Sequence, residues 1–233
     1  DEFDAVSYVS GMSAISAAFF YALEESDIES DKAEIILYRP AYACTDNLSG
    51  QLNALTKVRT VVNIEQLKEA VNADTVFVFF ESPANPSLVI VDIKELTTLV
   101  KSINPKAIVG FDNTFATSLG QQPLKYGVDI SMVGLTKGQS GSGDVLGAVL
   151  VAKKEIAKKL RAKRDIFSEP LDELDAFKTA QYGMPLLAKR LTKQQANAFK
   201  YVAFLKKQTD IVKFVSYPGD ASNPQYEVAK RQM

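Results

Sequence analysis

Lys137 stands in Leu135-Thr136-Lys137-Gly138, just beyond the short apolar run Ile130 to Val133, in a stretch that also holds Gly141 and Gly143. A lysine placed there forms an imine with a carbonyl compound if its surroundings depress its pKa, and a solvated lysine in a turn has the same sequence. Asp112 closes the run Ala107 to Phe111 in Phe111-Asp112-Asn113-Thr114, where a carboxylate either holds a protonated ring nitrogen or caps a turn. Ser10-Gly11-Met12-Ser13 opens a helical pattern, and the free N–H groups of a helix's first turn attract a phosphate, as every helix start does to some degree. Tyr42, in Ala41-Tyr42-Ala43-Cys44-Thr45, can lie on a flat heteroaromatic ligand or pack on its own loop. In Glu81-Ser82-Pro83-Ala84-Asn85-Pro86 the prolines make a rigid turn that either aims Asn85 inward or is a plain turn.

Two nucleotide-binding patterns fail on their residues. Gly138 and Gly143 have the separation of the glycines in GxxxxGK[ST], but Asp144 follows where a lysine is needed and would repel a phosphate. Gly141-Ser142-Gly143 lacks the third glycine of GxGxxG and does not follow a first strand.

Short apolar runs alternate with helical patterns from Lys32 to about Lys153, which predicts a parallel sheet covered by helices. The expected strands are Ala33 to Leu37, Lys57 to Val62, Thr75 to Phe80, Ala107 to Phe111, Ile130 to Val133 and Val145 to Val151. Helical spacing marks Ile64 to Val71, Asp92 to Ile103, and a first helix capped by Ser10 that runs through Met12, Ile15, Phe19 and Leu23. From Lys153 to about Gln208 the pattern is helical and basic, interrupted at Ser168-Glu169-Pro170 and Gly183-Met184-Pro185. The run Ile211 to Tyr217 reads as the first strand of a second, smaller domain. In such an architecture the functional loops lie at the carboxyl ends of the strands, and each candidate above follows a predicted strand or opens a helix on that same edge.

Composition narrows the chemistry. The chain has 233 residues, 46% hydrophobic, with Lys+Arg 27 against Asp+Glu 28 and a net charge of −1, so no field draws it to nucleic acid or anionic membrane. It has no histidine, which removes Ser-His-Asp and Cys-His catalysis and almost every zinc site, leaving no metal centre to expect. Acid and base work falls to Lys, Tyr, Asp, Glu or Cys. The single Cys44 excludes an internal disulfide and points to a reducing, cytoplasmic compartment. No apolar run approaches the ~20 residues of a membrane helix, and the acidic start is unlike a signal peptide. With no initial Met and no closing element before Met233, the chain is expected to be a fragment or a partial protein.

Taken in order, SGMSAIS at Ser10, Tyr42-Ala-Cys-Thr45, ESPANPSLVIVDI at Glu81, DNTFAT at Asp112, TKGQSGSGDVLGAVLV at Thr136, and ANAFKYVAFL through VSYPG to Gly219 resemble the Cys/Met-metabolism group of pyridoxal-phosphate enzymes. The resemblance implies an α/β fold: a three-layer αβα large domain of the type I aminotransferase kind over residues 1–190, and the incomplete start of a small α+β C-terminal domain over 191–233. It implies pyridoxal 5'-phosphate as cofactor, with Lys137 as the Schiff-base lysine and proton carrier and Asp112 on the ring nitrogen. Asn85 would approach the ring hydroxyl, and Tyr42 would stack on the ring and assist leaving-group departure. Gly11, Met12 and Thr136 would hold the phosphate, and Thr114 is a further cofactor contact. The implied reaction is elimination at Cβ or Cγ of a sulfur amino acid in a cytoplasmic homo-oligomer, a dimer of dimers.

Three alternatives stay open: a C–S lyase, a γ-replacement synthase using an activated homoserine, and a catalytically impaired relative acting as a binding partner. The last is motivated by departures from the family pattern. Gly134-Leu135-Thr136-Lys137 stands where relatives have SATK, and Gly138-Gln139-Ser140-Gly141-Ser142-Gly143-Asp144 stands for YLNGHSD. Losing one neutral hydrogen bond to a charged phosphate costs about 1.5–3 kcal/mol, roughly tenfold or more in affinity. The N-terminal arm whose Tyr and Arg reach the neighbouring phosphate, and the C-terminal arginine that clamps the substrate carboxylate in the family, have no counterpart in these residues.

Overall fold

The computed structural model of the chain describes residues 2–233. Its strands are β1 (Phe3–Tyr8), β2 (Glu34–Tyr38), β3 (Lys57–Val61), β4 (Thr75–Glu81), β5 (Ile108–Asp112), β6 (Ile130–Gly134) and β7 (Ala148–Lys153). Its α-helices are α1 (Gly11–Glu24), α2 (Ala43–Leu52), α3 (Ile64–Ala70), α4 (Ile93–Ile103), α5 (Thr117–Gly120), α6 (Lys154–Ile166), α7 (Glu173–Lys178), α8 (Met184–Leu205) and α9 (Tyr226–Gln232). The strands join in one sheet, in the order β1-β7-β6-β5-β4-β2-β3. Strands β2 to β6 pair in parallel, and β7 runs against both of its neighbours, so β1 points with the parallel set. The carboxyl ends of β1, β2, β4, β5 and β6 therefore open on one edge, where an α/β sheet presents its ligand loops.

Helices cover both faces. Strand β4, Thr-Val-Phe-Val-Phe-Phe-Glu, is buried along its whole length and sends alternate side chains to opposite layers, which is why it reads as a continuous apolar run. On one face Phe77 and Phe79 meet Phe19 of α1, with Phe19 edge-on to Phe77 at 4.9 Å. On the other, Phe80 meets Phe111, and Ile93, Leu96 and Val100 of α4 close the layer from one helical stripe. Each buried phenylalanine contributes roughly 1.5–3 kcal/mol of apolar transfer. The α/β three-layer expectation holds.

Several elements differ from expectation. β1 was not anticipated from Asp1-Glu2-Phe3-Asp4; it is an edge strand paired only with β7, so half of it stays polar. α2 occupies what reads as loop after Tyr42, because its polar, low-propensity sequence carries no apolar stripe. Gly183-Met184-Pro185 does not break the helical region: a wide π-type turn, Thr179–Gly183, leads from α7 into α8, with proline in the first turn where its missing N–H costs nothing.

The expected strand Ile211 to Tyr217 is a correction. This segment is irregular, with Ile211 82% and Phe214 83% exposed, because no strand lies beside it to take its hydrogen bonds. Tyr217 instead packs edge-on against Phe199 of α8 at 5.4 Å. The chain then returns to the sheet. Gln225 brackets Ile90, accepting its N–H at 2.9 Å and donating to its carbonyl at 2.7 Å, and Gln232 of α9 accepts from Ile93 N–H and donates to Val91 carbonyl.

Candidate active site

A cavity of about 670 Å³ lies at the carboxyl edge of the sheet. Gly11, Met12, Tyr42, Asn85, Asp112, Thr114, Thr136 and Lys137 all line it. They come from five places in the chain: the β1–α1 corner, the start of α2, the loop after β4, the end of β5, and the turn after β6. Residues to which the sequence reading assigned no role also line it, among them Glu81, Thr117, Met132, and Leu191 and Gln194 from α8.

At the α1 start, the Ser10 side chain accepts the Ser13 N–H at 3.1 Å. The cap thus satisfies one first-turn donor, while the N–H groups of Gly11 and Met12 have no intrahelical acceptor and face an anion's approach. Asp112 is buried, and its Oδ1 accepts the Thr114 N–H at 2.8 Å. Burial pushes its carboxyl above the ordinary carboxylate range despite that bond, and among the described residues no basic side chain opposes the shift. A buried acid without a cation, facing a cavity, suits a ligand bearing a protonated nitrogen.

Thr114 also packs closely on Gly134, where this chain departs from the family pattern. Its Oγ1 accepts the Gly134 N–H at 2.8 Å, and a Cβ at residue 134 would lie 3.0 Å from its methyl and 3.1 Å from its hydroxyl. The space a serine would take is thus crowded by Thr114. Likewise a Cβ at Gly138 would come within 2.6 Å of the Thr117 methyl. Thr117 itself is buried at φ 65°, uncommon for a β-branched residue, and its hydroxyl has no hydrogen-bond partner.

Glu81 ties two candidates together. Its Oε2 accepts the Tyr42 N–H at 3.1 Å and its Oε1 the Asn85 N–H at 2.6 Å. Burial pushes its carboxyl up to about 7, with the Asp112 charge adding to the effect and the two N–H donors opposing it. A strand-ending carboxylate in register with Asp112 was the available signal, but only pairing of β4 with β5 makes the two neighbours. Tyr42 is 42% exposed, and the neighbouring Cys44 thiol holds its phenol above the usual value.

Lys137 interrupts a wide turn, Leu135–Gln139, with non-helical φ −101° and ψ −118°. The turn is anchored to β7's approach through Leu135 N–H to Gly147 carbonyl at 2.8 Å, and Thr136 Oγ1 accepts the Gly147 N–H at 3.4 Å. Asp144 pairs with Lys178 at 2.9 Å.

Residues 3–233 match the Cys/Met metabolism PLP-dependent enzyme family. The chain belongs to that family. Within the family it is similar to L-methionine gamma-lyase of Fusobacterium nucleatum subsp. polymorphum, 35% identical over 237 residues that span 98% of this chain and 57% of that protein. It is also similar to cystathionine beta-lyase of Lactococcus lactis subsp. cremoris, 33% identical over 198 residues, 84% of this chain and 51% of that protein. The crystal structure of metB from Corynebacterium glutamicum superposes with a TM-score of 0.89 at 30% identity, over 98% of this chain and 58% of that one. The chain thus spans about half the length of the family relatives it matches. Among the described residues no helix is long and apolar enough to cross a membrane.

Proposed function

We propose that the protein is a pyridoxal-phosphate-dependent carbon–sulfur lyase acting at Cβ or Cγ of a sulfur amino acid of the cystathionine or methionine type. The observation that carries this is the meeting of Lys137 with the buried, cation-free Asp112 in one cavity. Two of the relatives it is similar to are named as lyases, which favours elimination over γ-replacement.

The residues fit the cofactor. The Gly11 and Met12 N–H groups and the Thr136 hydroxyl would receive its phosphate, and Asp112 its ring nitrogen, since a cation there would offset the burial that raises its carboxyl. Asn85 would approach the ring hydroxyl and Tyr42 would cover the ring, while the Thr114 N–H holds Asp112 in place. When bound, pyridoxal phosphate supplies an electron sink for charge developing at the substrate Cα. The Lys137 amine, once free, takes the Cα proton and delivers it to a later carbon. The Tyr42 phenol, protonated near neutral pH as an ordinary tyrosine is, would give its proton to the departing sulfur. On this reading the enzyme is a cytoplasmic homo-oligomer, a dimer of dimers, with a small amino acid as substrate.

The test is to add pyridoxal phosphate, reduce with borohydride and map the labelled peptide, with Lys137→Ala as control, and then to screen cystathionine and methionine for keto-acid release. Label on Lys137 and a keto acid from either substrate support the reading. Label on another lysine, or consumption only of an activated homoserine, overturns the lyase assignment.

A further inference from the structure

The guanidinium of Arg190, on α8, is spent wholly on main-chain carbonyls. Its Nη2 donates to Gly138 carbonyl at 2.8 Å and to Gln139 carbonyl at 3.1 Å, and its Nη1 donates to Gly183 carbonyl at 3.0 Å. Gly138 and Gln139 directly follow Lys137. Their two peptide planes are thus held by one planar fork, and the third bond ties them to the π-type turn before α8.

The neighbouring backbone is shaped around this group. Gly141 lies at φ 71°, and a Cβ there would come within 2.2 to 2.8 Å of the Arg190 guanidinium. Gly183 is buried so closely on the lysine turn that a Cβ would stand 2.7 Å from Gln139 carbonyl oxygen and from Ser140 Cα. The next residue on α8, Leu191, and Gln194 one turn further both line the cavity. The same side chain therefore docks α8 on the lysine turn and sets two cavity-lining positions.

We propose that Arg190 is a positioning residue for Lys137: it holds the carbonyls of Gly138 and Gln139 so that the backbone at Lys137 keeps its non-helical geometry and the amine is presented to the cavity. Lysine has a long flexible stem, so the direction of its root is the part a protein can fix cheaply. Gly138 has no side chain with which to anchor the turn, and Arg190 holds its main chain instead. The inference rests on Lys137 being the reactive amine, as proposed above.

The experiment uses the purified protein with Arg190→Ala, Arg190→Lys and Gly141→Ala, and two readouts. The first, without cofactor, is hydrogen exchange of the amides of residues 137–144. The second is the rate at which added pyridoxal phosphate becomes borohydride-reducible on Lys137, a condensation that releases one water. Arg190→Ala is expected to speed exchange in that segment and to slow capture about ten- to a hundredfold, the scale of lost charged hydrogen bonds and a misplaced reacting group. Arg190→Lys restores part of the rate, and Gly141→Ala, which displaces the guanidinium without removing it, reproduces the defect. If Arg190→Ala fails to fold, the other two variants carry the test. Unchanged exchange and unchanged capture in a folded Arg190→Ala or Gly141→Ala overturns the proposal. Absence of label on Lys137 in the unaltered protein overturns the functional reading instead, an outcome the exchange measurement keeps separate.

Discussion

Glu81 and Asp112 are register partners at the carboxyl ends of β4 and β5, so two buried carboxylates stand side by side on the cavity floor. Each is raised above its ordinary range, chiefly by burial, and Asp112 raises Glu81 further.

The burial of Glu81, with Asp112 adding to it, makes stability depend on pH in the reverse of the usual carboxylate sense. The folded Glu81 carboxyl titrates at about 7 against 4.5 when unfolded, so between those values the folded state binds the extra proton. Stability from this group is present below about 4.5 and is lost as pH rises to 7, by up to about 3 kcal/mol. Denaturation of the cofactor-free protein across that window is expected to show a decline that Glu81→Gln flattens. An equal slope in both proteins would count against it.

Asp112→Asn keeps the shape of the site and removes the carboxylate proposed to face the ring nitrogen. Affinity for pyridoxal phosphate is expected to fall by about 1.5–3 kcal/mol, roughly ten- to a hundredfold. Titration of the variant by absorbance checks it, and unaltered affinity would exclude the assigned contact.

Gly138→Ala places a methyl where the Thr117 methyl already stands, 2.6 Å away. Thr117 is held at φ 65° and has little freedom to yield. A loss of about 1–3 kcal/mol in unfolding free energy is expected, with slower capture of cofactor at the adjacent Lys137. Chemical denaturation measures the first quantity.

Gln232→Ala strips the partner from Ile93 N–H and leaves Val91 carbonyl only the longer bond from the Ser82 hydroxyl at 3.4 Å, both at buried residues. The orphaned N–H alone costs about 1–3 kcal/mol, so α9 is expected to detach before the sheet unfolds. Hydrogen exchange at residues 90–93 and 226–232 would then rise together; protection unchanged in both segments would contradict the docking.

The candidate positions are legible in the sequence because they are local, while the role of each came from the family resemblance. Lys137, Asp112, Asn85, Tyr42 and the Ser10 cap each sit at a strand or helix end, and apolar runs mark those ends without reference to the fold. The Ser10 cap is read from residue type alone and forms as expected. Glu81 and Arg190 are different. A glutamate after an apolar run and an arginine in a basic helix are the commonest of surface patterns, and nothing in their neighbours distinguishes them.

What the amino-acid order determined by itself is periodicity and local chemistry: alternating buried strands and striped helices, the cap, and the candidate side chains at strand ends. Only the tertiary structure decided which of these meet. Register between β4 and β5 made Glu81 and Asp112 neighbours, the docking of α8 carried Arg190 to the lysine turn 51 and 52 residues away in sequence, and the lack of a pairing strand left Ile211 to Tyr217 irregular. The physical reason is the same in each case: hydrogen bonding, steric fit and burial between distant segments are properties of pairs, and a single stretch of chain holds only one member of each pair.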